Sequence, residues 1–199
     1  MKRALVLSVL VSGLCAITIN IPSDYTTIQE GIDASVDGDT VLIAEGTYYE
    51  NLILEKEIVL ASHAIYDDLD SDWQNNLTIQ ETIISGAQEA SDSNKGSCLV
   101  IRGSGWGYTG NPRPEVMGLT FQDGTGTNMR IYNCGVIQRE RSGGGILIYN
   151  AYPTIMYNRF LNNGFSNDTG GYDPTNIETS SGGAIGHYSS EDVEFDEDR

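Results

Sequence analysis

Gly143-Gly144-Gly145-Ile146-Leu147-Ile148-Tyr149 and Gly182-Gly183-Ala184-Ile185-Gly186-His187-Tyr188 are two copies of one pattern, 39 residues apart. Phe121-Gln122-Asp123-Gly124 recurs at the same interval as Phe160-Leu161-Asn162-Asn163. In both copies the glycine doublet begins 22 positions after the Phe. The unit is therefore a strand with Phe, a polar turn, a long Gly/Asn/Asp/Thr loop, Gly-Gly and a strand with Ile. A unit with so few apolar residues cannot bury a face alone, but stacked on copies of itself it can. Inward Ile, Val, Leu and Phe then form ladders. Turn asparagines such as Asn133, Asn158, Asn162 and Asn163 bond along the axis, and unequal loops leave sideways, where length costs little.

The rest of the chain agrees. Beyond residue 16 there are 20 Ile and 7 Val against 10 Leu, a β-branched bias that suits pleated surfaces. Candidate strands are Thr40–Ala44, Asn51–Leu54, Ile58–Ala61, Thr82–Ser85, Ser97–Arg102, Val116–Phe121, Gly145–Tyr149, Thr154–Tyr157 and Ala184–His187. No Asn-Gly or Asp-Gly turn sits between two alternating strands, which argues against a hairpin meander. One segment reads as a helix: Ile28, Ile32 and Val36 recur at i, i+4, i+8. Thr27 with Glu30 forms a capping box, and the helix stops at Asp37-Gly38-Asp39. Everything after it reads as strand and turn. The expected fold is all-β, a right-handed parallel β-helix with a short capping α-helix over its first coil. Residues 17–40 form the first strand and cap, 41–190 the coils and 191–199 an acidic tail.

Length and charge bound the function. At 199 residues the chain is one domain, with 11 Lys+Arg against 28 Asp+Glu for a net charge of −17. A surface this acidic repels phosphate backbones and anionic lipid, which excludes nucleic acid as a partner and electrostatic docking on membranes. Lys2 and Arg3 precede an apolar run from Ala4 to Leu14, too short to span a bilayer. With Gly13 and Ala16 behind it, this order reads as a secretory signal over residues 1–16. Secretion permits disulfides. Cys98 and Cys134, left after cleavage, either pair or are buried apolar side chains.

The segments Tyr25-Thr26-Thr27-Ile28-Gln29-Glu30-Gly31-Ile32-Asp33-Ala34, Gly38-Asp39-Thr40-Val41-Leu42-Ile43 and Glu45-Gly46-Thr47-Tyr48-Tyr49-Glu50-Asn51 resemble the N-terminal cap and first coil of the pectin-lyase-like superfamily. Val116–Phe121 and Pro153–Phe160 resemble its later coils. The resemblance covers about residues 19 to 188. It implies the fold, but this fold hosts lyases, hydrolases, esterases and non-enzymatic adhesins alike. The superfamily's catalytic motifs are missing. Gln122-Asp123-Gly124 is a fragment of one esterase segment, Arg113-Pro114-Glu115 does not match the lyase motif, and Gly186-His187-Tyr188 does not match the Gly-His-Gly of polygalacturonases.

The candidate chemistry is read from residue types. Arg130, Arg139, Glu140 and Arg141 share the loop before Gly143, where arginines could neutralise the carboxylates of an acidic polysaccharide and a carboxylate could move a proton. Trp106 and Tyr108, with Trp73, could stack on sugar rings or pack a lateral loop onto the coil wall. Asp68, Asp70 and Asp72 have the alternate spacing of a calcium loop, although Trp73 replaces its turn glycine and Ile79 its bidentate glutamate. His187, one unit after Ile148, is a candidate lateral residue, and His63 is a poor one. After Tyr188 the repeat breaks: Asp192-Val193-Glu194-Phe195 stands where Pro153-Thr154-Ile155-Met156 stood. An uncovered last coil invites edge pairing, so the C-terminus reads as a truncated piece, a natural stop with an acidic tail, or an end used for assembly, with truncation favoured. The expected function is a secreted or cell-surface module that binds or displays at polysaccharide surfaces. The alternatives are part of a polysaccharide-active lyase, hydrolase or esterase, and a structural adhesin segment.

Overall fold

The computed structural model describes residues 15–86, 96–103, 110–133, 136–164, 178–181, 183–188 and 193–195. In chain order the elements are β1 (Thr18–Ile21), α1 (Ile28–Ala34), β2 (Thr40–Ile43), β3 (Gly46–Tyr49), β4 (Leu52–Leu54) and β5 (Val59–Ser62). Two short helices, α2 (Leu69–Asp72) and α3 (Leu77–Glu81), follow with single 3-10 turns at His63–Tyr66 and Trp73–Asn75. Next come β6 (Thr82–Ser85), β7 (Leu99–Arg102), β8 (Glu115–Met117), β9 (Thr120–Gln122), β10 (Thr127–Asn133) and β11 (Val136–Ser142). The last are β12 (Ile146–Tyr149), β13 (Thr154–Met156), β14 (Arg159–Leu161), β15 (Glu178–Ser181), β16 (Ile185–Tyr188) and β17 (Val193–Phe195). The protein is β-dominant, with mostly parallel sheets and a few short helices.

Three of the four sheets are parallel throughout: β1-β2-β5-β8-β13, then β3-β6-β9-β14, then β4-β7-β12-β16. The chain visits them in the same order four times, as β2-β3-β4, β5-β6-β7, β8-β9-β12 and β13-β14-β16. Each visit adds one layer in register. Val41, Leu60, Val116 and Ile155 form one column, and Tyr48, Ile84, Phe121 and Phe160 a second. Leu52, Leu99, Ile146 and Ile185 form a third. Buried members from all three sheets meet in a single core. Each buried Leu or Ile contributes roughly 1.5–3 kcal/mol relative to exposure. The repeat pairs land in neighbouring layers: Ile146 lies beside Ile185, and the Phe121 and Phe160 rings stack with centroids 5.6 Å apart.

The glycines of the repeat sit where backbones touch. A Cβ on Gly124 would be driven into the Gly144 carbonyl oxygen of its own layer, and one on Gly144 into the Gly183 carbonyl oxygen of the next. Of the turn asparagines, two bond along the stack as expected. Asn158 Nδ2 donates to the Val116 carbonyl at 2.8 Å while its Oδ1 accepts from the Leu119 N–H at 3.0 Å. Asn163 does the same with Phe121 and Gly124, both at 2.9 Å. Asn162 is instead an exposed left-handed turn residue (φ 54°), and Asn133 belongs to β10.

Helix α1 covers the first layer with Ile28, Gly31 and Ile32 buried. Its capping box forms as expected: Thr27 accepts from the Glu30 N–H, and the Glu30 carboxylate accepts from the Thr27 N–H. The helix stops at Ala34, before the expected Asp37, and Val36 is 49% exposed rather than on the buried face. Gly38 takes the left-handed turn (φ 91°).

Four sequence readings are corrected. Residues 63–81 are short helical turns, not strand and turn, because Ala64, Leu69 and Ile79 make a small core of their own against the stack. Val116–Phe121 is two strands, broken where Gly118 turns left-handed (φ 72°) to carry the chain from the first sheet to the second. The long loop before Gly143 contains an antiparallel hairpin, β10–β11. Residues 193–195 of the acidic tail are strand, paired antiparallel with β10 instead of adding to the first sheet.

Candidate functional site

The fourth sheet, β15-β11-β10-β17, is separate from the three parallel ones. Its hairpin register places Arg130 opposite Arg139, Asn128 opposite Arg141 and Met129 opposite Glu140. Side chains alternate along a strand, so Asn128 and Arg141 share one face of the ribbon and Met129 and Glu140 the other. These positions are set by strand pairing, not by the loop expected from the sequence. Like charges directly opposite destabilise a sheet. By backbone register β15 sets Glu178 beside Arg139 and β17 sets Glu194 beside Arg130. Arg130 and Arg139 are placed by backbone register alone. Arg141 Nε donates to Asn128 Oδ1 at 2.9 Å.

The other face of the ribbon lies on the third parallel sheet. Met129 is buried with Val100 and Leu147, and Tyr149 and Tyr188 pack against them. The root of the hairpin is tied by buried hydroxyls: Ser97 Oγ and Thr127 Oγ1 are 2.8 Å apart, and Asn51 Nδ2 donates to the Ser97 carbonyl at 2.8 Å. Along this edge Arg102, Tyr149 and Tyr188 form one in-register column across three layers. The Tyr188 hydroxyl donates to Glu140 Oε1. Arg102 Nε donates to Glu55 Oε1 at 2.6 Å, a pair with side chains 27% and 56% exposed. At that exposure it contributes about 0.2–1 kcal/mol. The result is an edge where a guanidinium, two phenols and a carboxylate come together on rigid strands. The sequence held a signal for it, since Tyr149 and Tyr188 close the two repeat copies, but the partner Glu140 could be found only through the hairpin register.

The other sequence candidates fall elsewhere. Asp68 precedes α2, and Asp70 and Asp72 lie within it. Residues two apart on a helix do not face each other, which separates carboxylates that a loop would have gathered. Asp70 Oδ1 accepts from the Tyr157 hydroxyl at 2.6 Å, and Asp72 Oδ1 from Asn75 Nδ2 at 2.9 Å. The Asp70 carboxylate raises the Tyr157 phenol above its ordinary value through that bond. Among the described residues no group of three or more His, Cys, Asp or Glu is assembled to hold a metal. Trp73 meets Tyr157 edge-on at 6.2 Å and packs on the small core of Ala64, Leu69 and Ile79. Trp106 and Tyr108 lie outside the described residues. His187 pairs in register with Ile148 and is exposed. His63 is exposed.

Cys98 is buried, as the apolar reading expected, and Cys134 lies outside the described residues. Burial pushes the Cys98 thiol up to about 12, so it stays protonated and unreactive at neutral pH. Among the described residues no helix is long and apolar enough to cross a membrane. Compared with family models, with curated proteins and with solved structures, the chain matches none.

Proposed function

We propose that this protein is a secreted or cell-surface module, built as a right-handed parallel β-helix of the pectin-lyase-like kind, that binds polysaccharide along its lateral edge. The fourfold visiting order of the three parallel sheets supports the β-helix reading. The binding reading rests on the column of Arg102, Tyr149 and Tyr188 beside Glu140. Phenol rings offer apolar faces to the C–H faces of sugars and hydroxyls to their polar rims. A guanidinium offers a fork that fits a uronate carboxylate. One such side chain per layer, about 4.8 Å apart, suits a linear glycan lying along the stack. In a chain of net charge −17, Arg102 sets a cation on this edge.

A glycan array followed by calorimetry, run beside reducing-sugar and unsaturated-uronate assays, tests this. The expected result is binding without turnover, weakened about tenfold or more by Tyr149→Ala and by Tyr188→Ala. No binding on the array, or binding indifferent to both changes, sinks the proposal. One observation favours an enzyme as the second reading: a phenol bonded to a carboxylate is a competent acid–base pair. Turnover that disappears in Glu140→Gln would select that reading, and silence in every assay the structural adhesin.

A further inference from the structure

We propose that Asn163 is a site of spontaneous deamidation that the stack keeps shut, and that its conversion marks the fourth layer irreversibly once that layer has opened. Asn163-Gly164 is the sole Asn-Gly pair in the sequence. Glycine has no Cβ, so its backbone nitrogen approaches the preceding side-chain amide unhindered. The reaction balances with water as the only co-reactant. The Gly164 nitrogen forms a bond to Asn163 Cγ and gives up its proton. The Cγ–Nδ2 bond breaks, and Nδ2 leaves as ammonia with that proton. Water then adds to one of the two carbonyls of the cyclic imide and reopens it as an aspartate or an isoaspartate.

In the folded chain every reacting group is held. Asn163 Nδ2 donates to the Phe121 carbonyl and Oδ1 accepts from the Gly124 N–H, both at 2.9 Å. The Gly164 N–H, which must lose its proton, donates to the Gly124 carbonyl at 3.0 Å. All three bonds run to the preceding layer. Ring closure therefore waits until Asn163 and Gly164 leave that layer together, which is a local opening. The product does not fit back. A carboxylate at position 163 sets a second oxygen where Nδ2 stood, 2.9 Å from the Phe121 carbonyl oxygen. Two acceptors facing each other leave both unsatisfied, which costs stability. An isoaspartate adds a backbone carbon and moves the following residue out of step with Gly124. Asn158 is the internal comparison. It is bonded in the same way to Val116 and Leu119, at 2.8 and 3.0 Å, but Arg159 follows it and crowds the attacking nitrogen. The two asparagines share a structural duty, and only one carries the reaction.

Peptide mass spectrometry on the full chain, kept in mildly alkaline buffer with and without urea, tests the proposal. In urea Asn163 is expected to convert ahead of every other asparagine. In the folded protein its rate is expected to be lower by about tenfold or more, with Asn158 unchanged. Gly164→Ala, whose added Cβ meets nothing within 4 Å, is expected to fold like the parent and to suppress conversion in both conditions. Asn163→Asp mimics the product and is expected to lose hydrogen-exchange protection in β14 while β2 and β3 keep theirs. Four results would each overturn the proposal: Asn163 intact in urea while other asparagines convert, equal rates with and without urea, conversion undiminished in Gly164→Ala, or β14 as well protected in Asn163→Asp as in the parent.

Discussion

The first and the last described layers of the stack differ in what covers them among the described residues. At the first layer α1 is clamped from both sides. The N–H groups of Ile28 and Gln29 donate to the two oxygens of Glu50 at 2.9 and 3.0 Å. Lys56 Nζ donates to the carbonyls of Ile32, Asp33 and Ser35 at 2.7–2.8 Å. Both clamps complement the helix dipole, an anion at its N-terminus and a cation at its C-terminus. The Gln29 side-chain amide completes the seal. Its Nε2 donates to the Ile53 carbonyl at 3.1 Å and its Oε1 accepts from the Ile53 N–H at 2.8 Å, as a neighbouring strand would. At the last layer the same columns of core residues run out into solvent. A stack of identical layers has no intrinsic end, so each end needs its own chemistry. Here only one has it within the described residues.

The largest expected contrast between the ends concerns glycine. Gly124 lies inside the stack, where an added Cβ meets the Gly144 carbonyl and approaches Cys98 Sγ at 3.0 Å. Gly164 lies one residue past Asn163, the repeat counterpart of Gly124, with its N–H donating to the Gly124 carbonyl at 3.0 Å, yet a Cβ there meets nothing within 4 Å. Gly124→Ala should cost on the order of 4 kcal/mol, and Gly164→Ala should fall within about 0.5 kcal/mol of neutral. Urea unfolding of the two variants measures both. Equal losses would mean that the terminal layer is as tightly covered as the inner ones.

At the closed end, Lys56→Met keeps the aliphatic stem and removes three charge-assisted bonds. The expected loss is about 1–2 kcal/mol, less than the sum of three such bonds because the freed carbonyls can reach water. Hydrogen exchange locates the effect. Protection should fall in α1 and β1 while β9 and β12 keep theirs. A uniform fall across all layers would show that the cap and the stack unfold as one unit.

What was legible in the sequence follows the same division. The repeat of Phe and Gly-Gly announced the layers because stacking demands the same residue in the same place: Phe on Phe, glycine where carbonyls press. The cap was legible because Thr27, Glu30 and the Ile spacing are local signals. Its end was misplaced because Val36 continued the period while Ser35 had already left the helical region (ψ 161°). The turns over 63–81 could not be read, since helices of four or five residues are not stable alone and are fixed by Leu69 and Ile79 packing on the stack. The hairpin escaped for a related reason. No Asn-Gly or Asp-Gly stands between its strands, and they carry three arginines that suggested a solvated loop. The Tyr188–Glu140 bond was therefore out of reach, although both residues stood in plain view.

The smallest expected effect concerns Asp39, the carboxylate that ties the start of β1 to the end of α1. It is 2% exposed, with Oδ1 accepting from the Ile17 N–H at 2.9 Å and Oδ2 from the Val36 N–H at 2.8 Å. These bonds, the Ile17 one first, hold its pKa below the ordinary 3.8. A lowered folded pKa means that the charged form is favoured by folding. Its contribution is complete above 3.8 and is lost as pH falls through the lower folded value. Asp39→Asn should therefore melt below the parent at neutral pH, and the gap between them should close in acid, below about pH 3.5. The open end offers no such carboxylate in β13, β14 or β16. Hydrogen exchange in acid should accordingly loosen β1 and α1 ahead of β13 and β14. If the gap in melting temperature persists unchanged down to about pH 2.5, the carboxylate's charge is not what fastens the first strand, and the amide of asparagine fails there for steric reasons alone.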